Sequence, residues 1–165
     1  MSILIIHVKN SMQTNYSYTR ERAAGDMSDH PEFQPVYTPL EMLRMGVFEG
    51  RYLDPNSDEY PEEWREHMMY FSTEKHNYFG VKSRQPLSAW RENGWIDLQD
   101  PRGWFEWYCR FWLGRRSRDD HRQIMRWRSF GARHSGQILK NCPGDLNKRL
   151  RQRQGLLQWS WNPFI

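Results

Sequence analysis

The sequence predicts a mainly α, compact helical domain with a C-terminal three-helix unit and an extended N-terminal arm. Three observations predict it. The chain has 165 residues, enough for one domain with a real core. It is polar overall, with a mean hydropathy of −0.97 and 38% hydrophobic residues, yet aromatics reach 15% and include nine tryptophans. A disordered chain is poor in rings, so the core is expected to be built from them, each burying ~150–250 Å². The third observation is the punctuation, which turns helical from Thr38 onward and divides the chain into an arm, 1–37, and a single helical domain, 38–165.

Within the arm, Ile3–Val8 is apolar and strand-like but has no obvious partner strand nearby. It is expected to pair across a homo-oligomer or to pack as an irregular arm. Residues 9–37 are polar without sustained periodicity and read as loop. Thr38 then caps a helix with Pro39 at its first position, Glu41 completes a capping box, and Gly46 stops it. Pro61-Glu62-Glu63-Trp64 starts a second helix running to about Tyr70, with acids in its first turn. Residues 71–84, containing Asn77-Tyr78-Phe79-Gly80, read as a connector. Pro86 opens a short helix through Trp90 that Gly94 ends.

The C-terminal unit is the clearest. Asp100 caps and Pro101 opens a helix through Trp112 to Gly114, with rings nearly all round it, as on a buried helix. Ser117 caps a long second helix, Asp119 and Asp120 fill its first turn, and it ends near Asn141 before Pro143-Gly144. Asp145 caps a third helix reaching about Trp159, with Leu146, Leu150 and Leu157 on its buried side. The outline is that of helix-turn-helix proteins, without their sequence signature.

Charge separates the halves. Residues 1–100 carry 10 Lys/Arg against 16 Asp/Glu, and residues 101–165 carry 14 against 4, within a net +4. Nineteen of the 24 cations are arginine, the residue with a planar fork for phosphate. On the long helix, Ile124, Trp127, Gly131, His134 and Ile138 form an inward seam. Arg118, Arg122, Arg126, Arg133 and Lys140 form a separate stripe of one sign, completed by the small Ser129 and Gly136. Such a stripe suits a phosphate backbone, although docking of the acidic half would also account for it. Arg115 and Arg116 lie in the turn beside it. The third helix adds Lys148, Arg149, Arg151, Gln152 and Arg153, residue types that hold phosphates or read base edges. Asp119, Asp120, His121 and His134 are the weak catalytic candidates. Carboxylates at a helix start need no other explanation, and thirteen residues of helix put the two histidines ~20 Å apart, too far to share a metal.

No cofactor and no metal ligand set is expected. Cys109 and Cys142 match no metal spacing and read as buried free thiols in a reducing, intracellular setting, the cytoplasm or nucleus of a cell or infected host. No apolar run is long enough to span a membrane. The strings Trp104-Phe105-Glu106-Trp107-Tyr108-Cys109-Arg110, Gly114-Arg115-Arg116, Asp119-Asp120-His121-Arg122-Gln123-Ile124 and Arg126-Trp127 resemble a family of small Trp/Arg-rich proteins found in cellular organisms and large DNA viruses. Asn77-Tyr78-Phe79-Gly80-Val81 and Arg151-Gln152-Arg153-Gln154 extend the resemblance over about residues 38–160. That family has no known activity, so the resemblance implies a discrete domain and transfers no site. The expectation is therefore a nucleic-acid-binding protein, DNA or RNA. An enzyme acting on nucleic acid or nucleotides, and a viral structural or assembly protein, are the alternatives.

Overall fold

The computed structural model describes residues 3–68, 73–84 and 87–165. Among them the protein is mainly helical. A hairpin of β1 (Leu4–Val8) and β2 (Tyr16–Arg20) is followed by α1 (Pro39–Arg44), α2 (Glu62–Arg65), α3 (Leu87–Glu92), α4 (Trp104–Trp112), α5 (Asp120–Asn141) and α6 (Leu150–Gln158). No described helix is long and apolar enough to cross a membrane.

The strand at the N-terminus has its partner within the chain. β1 and β2 pair antiparallel with Ile6 opposite Tyr18, so residues 9–37 are not all loop. Tyr16-Ser17-Tyr18-Thr19 alternates rings with small polar residues, the period of a half-buried strand. Phe33 of the same polar segment enters the core. Its ring meets those of Trp104, Trp107, Tyr108, Phe111 and Trp127 at 5.0–6.4 Å, mostly edge to face.

Thr38 and Glu41 make the expected capping box of α1. The end expected for α2 near Tyr70 and the Pro86 start of α3 lie outside the described residues. Asp100 does not cap α4, whose N-cap is Gly103. Asp100 is instead fully buried, and its carboxylate accepts from Arg110 Nη1 at 3.0 Å and from Arg115 at 2.8 and 2.6 Å. Glu59 accepts from Arg110 Nε and Nη2 at 2.8 and 3.0 Å. The Glu106–Arg110 pair closes this network at 3.8 Å, beneath the hairpin tyrosines. α4 is buried all round, as its rings predict. Cys109 and Cys142 are buried free thiols, and burial pushes the Cys109 thiol up.

α5 runs on the predicted seam. Ile124, Trp127, Gly131 and Ile138 are buried, and His134 is half-buried. Gly131 is required because a Cβ there would lie 1.8 Å from the Trp161 ring, which stacks on Trp127 at 4.6 Å. α6 starts at Leu150, four residues later than an Asp145 cap implies, and Leu146 is exposed. The cause is Arg153. Its five N–H groups donate to the backbone carbonyls of Cys142, Asp145, Lys148, Pro163 and Ile165 at 2.7–3.0 Å. Held this way, residues 142–148 form turns rather than a helix.

Candidate functional site

Ser117 is not the N-cap of α5, which is Asp119 without a side-chain cap bond; the start of the helix is held instead by a clasp on Asp120. Ser117 donates from its backbone N–H and its hydroxyl to the Asp120 carboxylate at 2.8 and 3.0 Å, and Trp107 Nε1 donates to the same group at 2.9 Å. With that end anchored and the seam buried, residues 122, 126, 129 and 133 all point to one flank. There they form one wall of a groove of about 910 Å³.

The opposite wall is Trp90 of α3 and Trp95 just beyond it, rings 6.5 Å apart and nearly perpendicular. The Trp95 carbonyl accepts from Arg126 Nη1 at 2.9 Å and from Arg122 Nη1 at 3.4 Å, which ties this wall to α5. The end wall is Arg151 and Gln152 of α6 with Trp159 just after it. Ser83 and Arg84 roof the groove. The Gln158 amide donates to the Ser83 carbonyl at 2.9 Å, and the Ser83 hydroxyl donates to the Arg151 carbonyl. Arg84 pairs with buried Glu49 at 3.2 Å.

Five arginines and two histidines line this groove, together with Trp90, Trp95, Phe130 and Trp159, and no carboxylate does among the described residues. Arg122 is held from behind by Asp119 in a bidentate pair at 2.6 and 3.0 Å. Arg126 has no carboxylate partner among the described residues. It donates through Nη1 to Trp95 and to Gln123 Oε1 at 2.9 Å, and its Cζ stands 5.3 Å from the centre of the Trp159 ring. Burial, and then the Arg122 charge, lower its pKa to about 10. A cation held in that state is electrostatically unsatisfied and favours an incoming anion. His134 Nδ1 is 2.9 Å from Gln152 Nε2, an amide donor, so the neutral imidazole carries its proton on Nε2. Burial, then Arg133, lowers its pKa.

Of the predicted binding residues, the structure gathers Arg122, Arg126, Arg133, Arg151 and Gln152 here. Arg115 and Arg153 are corrected. They are 2% and 0% exposed, bound to Asp100 and to backbone carbonyls, and cannot reach a phosphate. Arg116 is taken up by a bidentate pair with Asp29, which holds that carboxyl at about 2, and by the Phe111 face 3.8 Å away. Arg118, Lys140 and Arg149 are exposed but do not line the groove. Of the catalytic candidates, His121 and His134 line it, whereas Asp119 and Asp120 are buried behind it as partners of Arg122 and the helix start. No group of three or more His, Cys, Asp or Glu able to hold a metal occurs among the described residues.

Sequence reasoning missed Trp90, Trp95, Phe130 and Trp159, and with them Arg84. Only Phe130 carried a local signal, four residues after Arg126 and four before His134. No family model, no curated protein and no solved structure matches the chain.

Proposed function

We propose that the protein binds single-stranded nucleic acid, DNA or RNA, in this groove. Arg122, Arg126, Arg133 and Arg151 hold phosphates, and the tryptophan wall receives unstacked bases. One observation carries the reading: three arginines with no carboxylate partner among the described residues, Arg126, Arg133 and Arg151, share a single concavity with aromatic rings. Positive grooves interleaved with rings are how single strands are held, since every base offers a π-face. A duplex fits less well. Its stacked bases give the rings nothing to contact, and the stripe lies in a groove rather than on an open ridge. The enzyme alternative loses Asp119 and Asp120, which face away from the groove.

The test is affinity for a short single strand against salt concentration. Neutralising about four phosphates gives a log K against log salt slope of roughly −2 to −3 for a single strand. The double change Arg122→Ala and Arg126→Ala should flatten it by ~1–1.5 across sequences. A salt-independent affinity, or an equal preference for duplex, would overturn the proposal.

A further inference from the structure

We infer that the groove is a receptor for one phosphorylated nucleoside unit, a flat heterocycle in the Trp90–Trp95 corner with its phosphate on the free edge of Arg126. The inference rests on the nucleic-acid reading and narrows it from a strand-long track to a pocket.

Three observations carry it. The first is size: about 910 Å³ falls within the ~300–1,000 Å³ of small-ligand pockets, which combine apolar and aromatic walls with a few placed polar groups. The second is Arg126. Only its Nη1 is engaged within the protein, leaving Nε and Nη2 without an acceptor among the described residues. Those two N–H groups are the edge of a guanidinium that takes two oxygens of one phosphate side by side. Arg122 cannot offer the same edge, because Asp119 occupies its Nε and Nη2. The third is the corner itself. Trp90 and Trp95 stand at 76°, and Trp95 is about one-third exposed. A planar ring stacked on one indole presents its edge to the other, an arrangement aromatic groups favour. Because the Trp95 carbonyl is bonded to Arg126, corner and phosphate site are held together as one unit.

A free nucleotide and the 5′-phosphorylated end of a strand share this chemistry, and the experiment separates them. The full chain is titrated calorimetrically with adenosine 5′-monophosphate, adenosine, inorganic phosphate, and an oligoadenylate of about a dozen nucleotides with and without a 5′-phosphate. The monophosphate is expected to bind at least about tenfold more tightly than adenosine or phosphate alone. Arg126→Gln should remove that gain and weaken the monophosphate far more than adenosine, which loses only the Nη1 tie between Arg126 and the Trp95 carbonyl. Arg126→Lys should restore only part of it, because lysine is a point charge rather than a fork. Trp95→Ala should weaken adenosine and its monophosphate alike. Thermal melts establish that each variant is folded.

The receptor is overturned if the monophosphate binds no better than its parts, or if folded Arg126→Gln binds it like the parent. An oligonucleotide that binds but is not displaced by millimolar monophosphate also overturns it and leaves the strand-binding proposal standing. Monophosphate binding with no oligonucleotide binding does the reverse. A 5′-phosphate that tightens oligonucleotide binding identifies strand ends as the source, and no such gain identifies the free nucleotide.

Discussion

The arginines around Asp100 and those along the groove are the same residue type, a few turns apart in sequence, with opposite surroundings. Arg110 and Arg115 are fully buried and meet Glu59, Asp100 and Glu106. Arg126 and Arg133 meet no carboxylate among the described residues. What separates the sets is where the acidic half of the chain docks. Glu59, Asp97, Asp100 and Asp29 come from the first hundred residues and pair with Arg110, Arg118, Arg115 and Arg116. Docking of the acidic half thus accounts for the basic residues from Arg110 to Arg118 and stops at α5. Beyond it, Arg126 and Arg133 on α5 and Arg151 on α6 have no carboxylate partner among the described residues, and all three line the groove.

The largest expected effect tests the buried set. Asp100→Ala leaves two guanidinium groups buried without their shared carboxylate. It should destabilise the protein by about 3–5 kcal/mol, read from urea unfolding. Below the unfolding transition, nucleotide affinity should stay within about twofold, because Asp100 does not line the groove. A variant that melts like the parent, or one that stays folded yet binds poorly, would show that the two sets are not separate.

Legibility from sequence followed the range of the interactions involved. The stripe of Arg122, Arg126 and Arg133 was readable because helix period alone sets it, and the α1 capping box because it spans four residues. The buried network was not, since Glu59 and Arg110 are 51 positions apart. Asp100 before a proline has the look of a cap, and only the fold reveals two arginines converging on it. Phe33 sits in a polar stretch whose composition hides a core residue. Likewise Asp145 looks like a cap, but Arg153 eight residues later gathers its carbonyl and delays the helix. The groove's aromatic wall comes from three separate segments, so no periodicity could assemble it.

An intermediate effect is expected where the two sets meet. Asp119 is buried and Arg122 half-exposed, and their pairing occupies the Nε–Nη2 edge that Arg122 would otherwise turn to an anion in the groove. Asp119→Asn keeps a hydrogen-bond acceptor and removes the charge. It should cost about 1–2 kcal/mol of stability and raise affinity for adenosine 5′-monophosphate roughly two- to fivefold, the equivalent of ~0.5–1 kcal/mol of released pairing. Loss of affinity instead would mean that Asp119 positions Arg122 for the ligand rather than competing with it.

The smallest effect concerns His134, and its sign differs between free and occupied protein. In the free protein, burial and then Arg133 hold its pKa below the ordinary value of 6.5, and Gln152 donates to its unprotonated nitrogen. The unfolded chain therefore binds more protons between the lowered value and 6.5. Stability is fullest above pH 6.5 and declines as the pH falls through that window. A phosphate in the groove reverses the preference, because an anion favours the imidazolium over the neutral ring. Affinity should then rise as the pH falls, by up to about tenfold for each unit by which the anion lifts the pKa. The ligand adds a slope of its own, since a phosphate monoester gains a proton near pH ~6. The histidine's share is accordingly the difference between the parent and His134→Gln, which keeps a side-chain hydrogen-bonding group beside Gln152. Urea midpoints and monophosphate affinities of both proteins, measured on either side of pH 6.5, give that difference. Acidification should weaken folding and strengthen binding more in the parent than in the variant. Identical pH profiles would place His134 outside the reach of the bound phosphate and confine the anion to the Arg126 end of the groove.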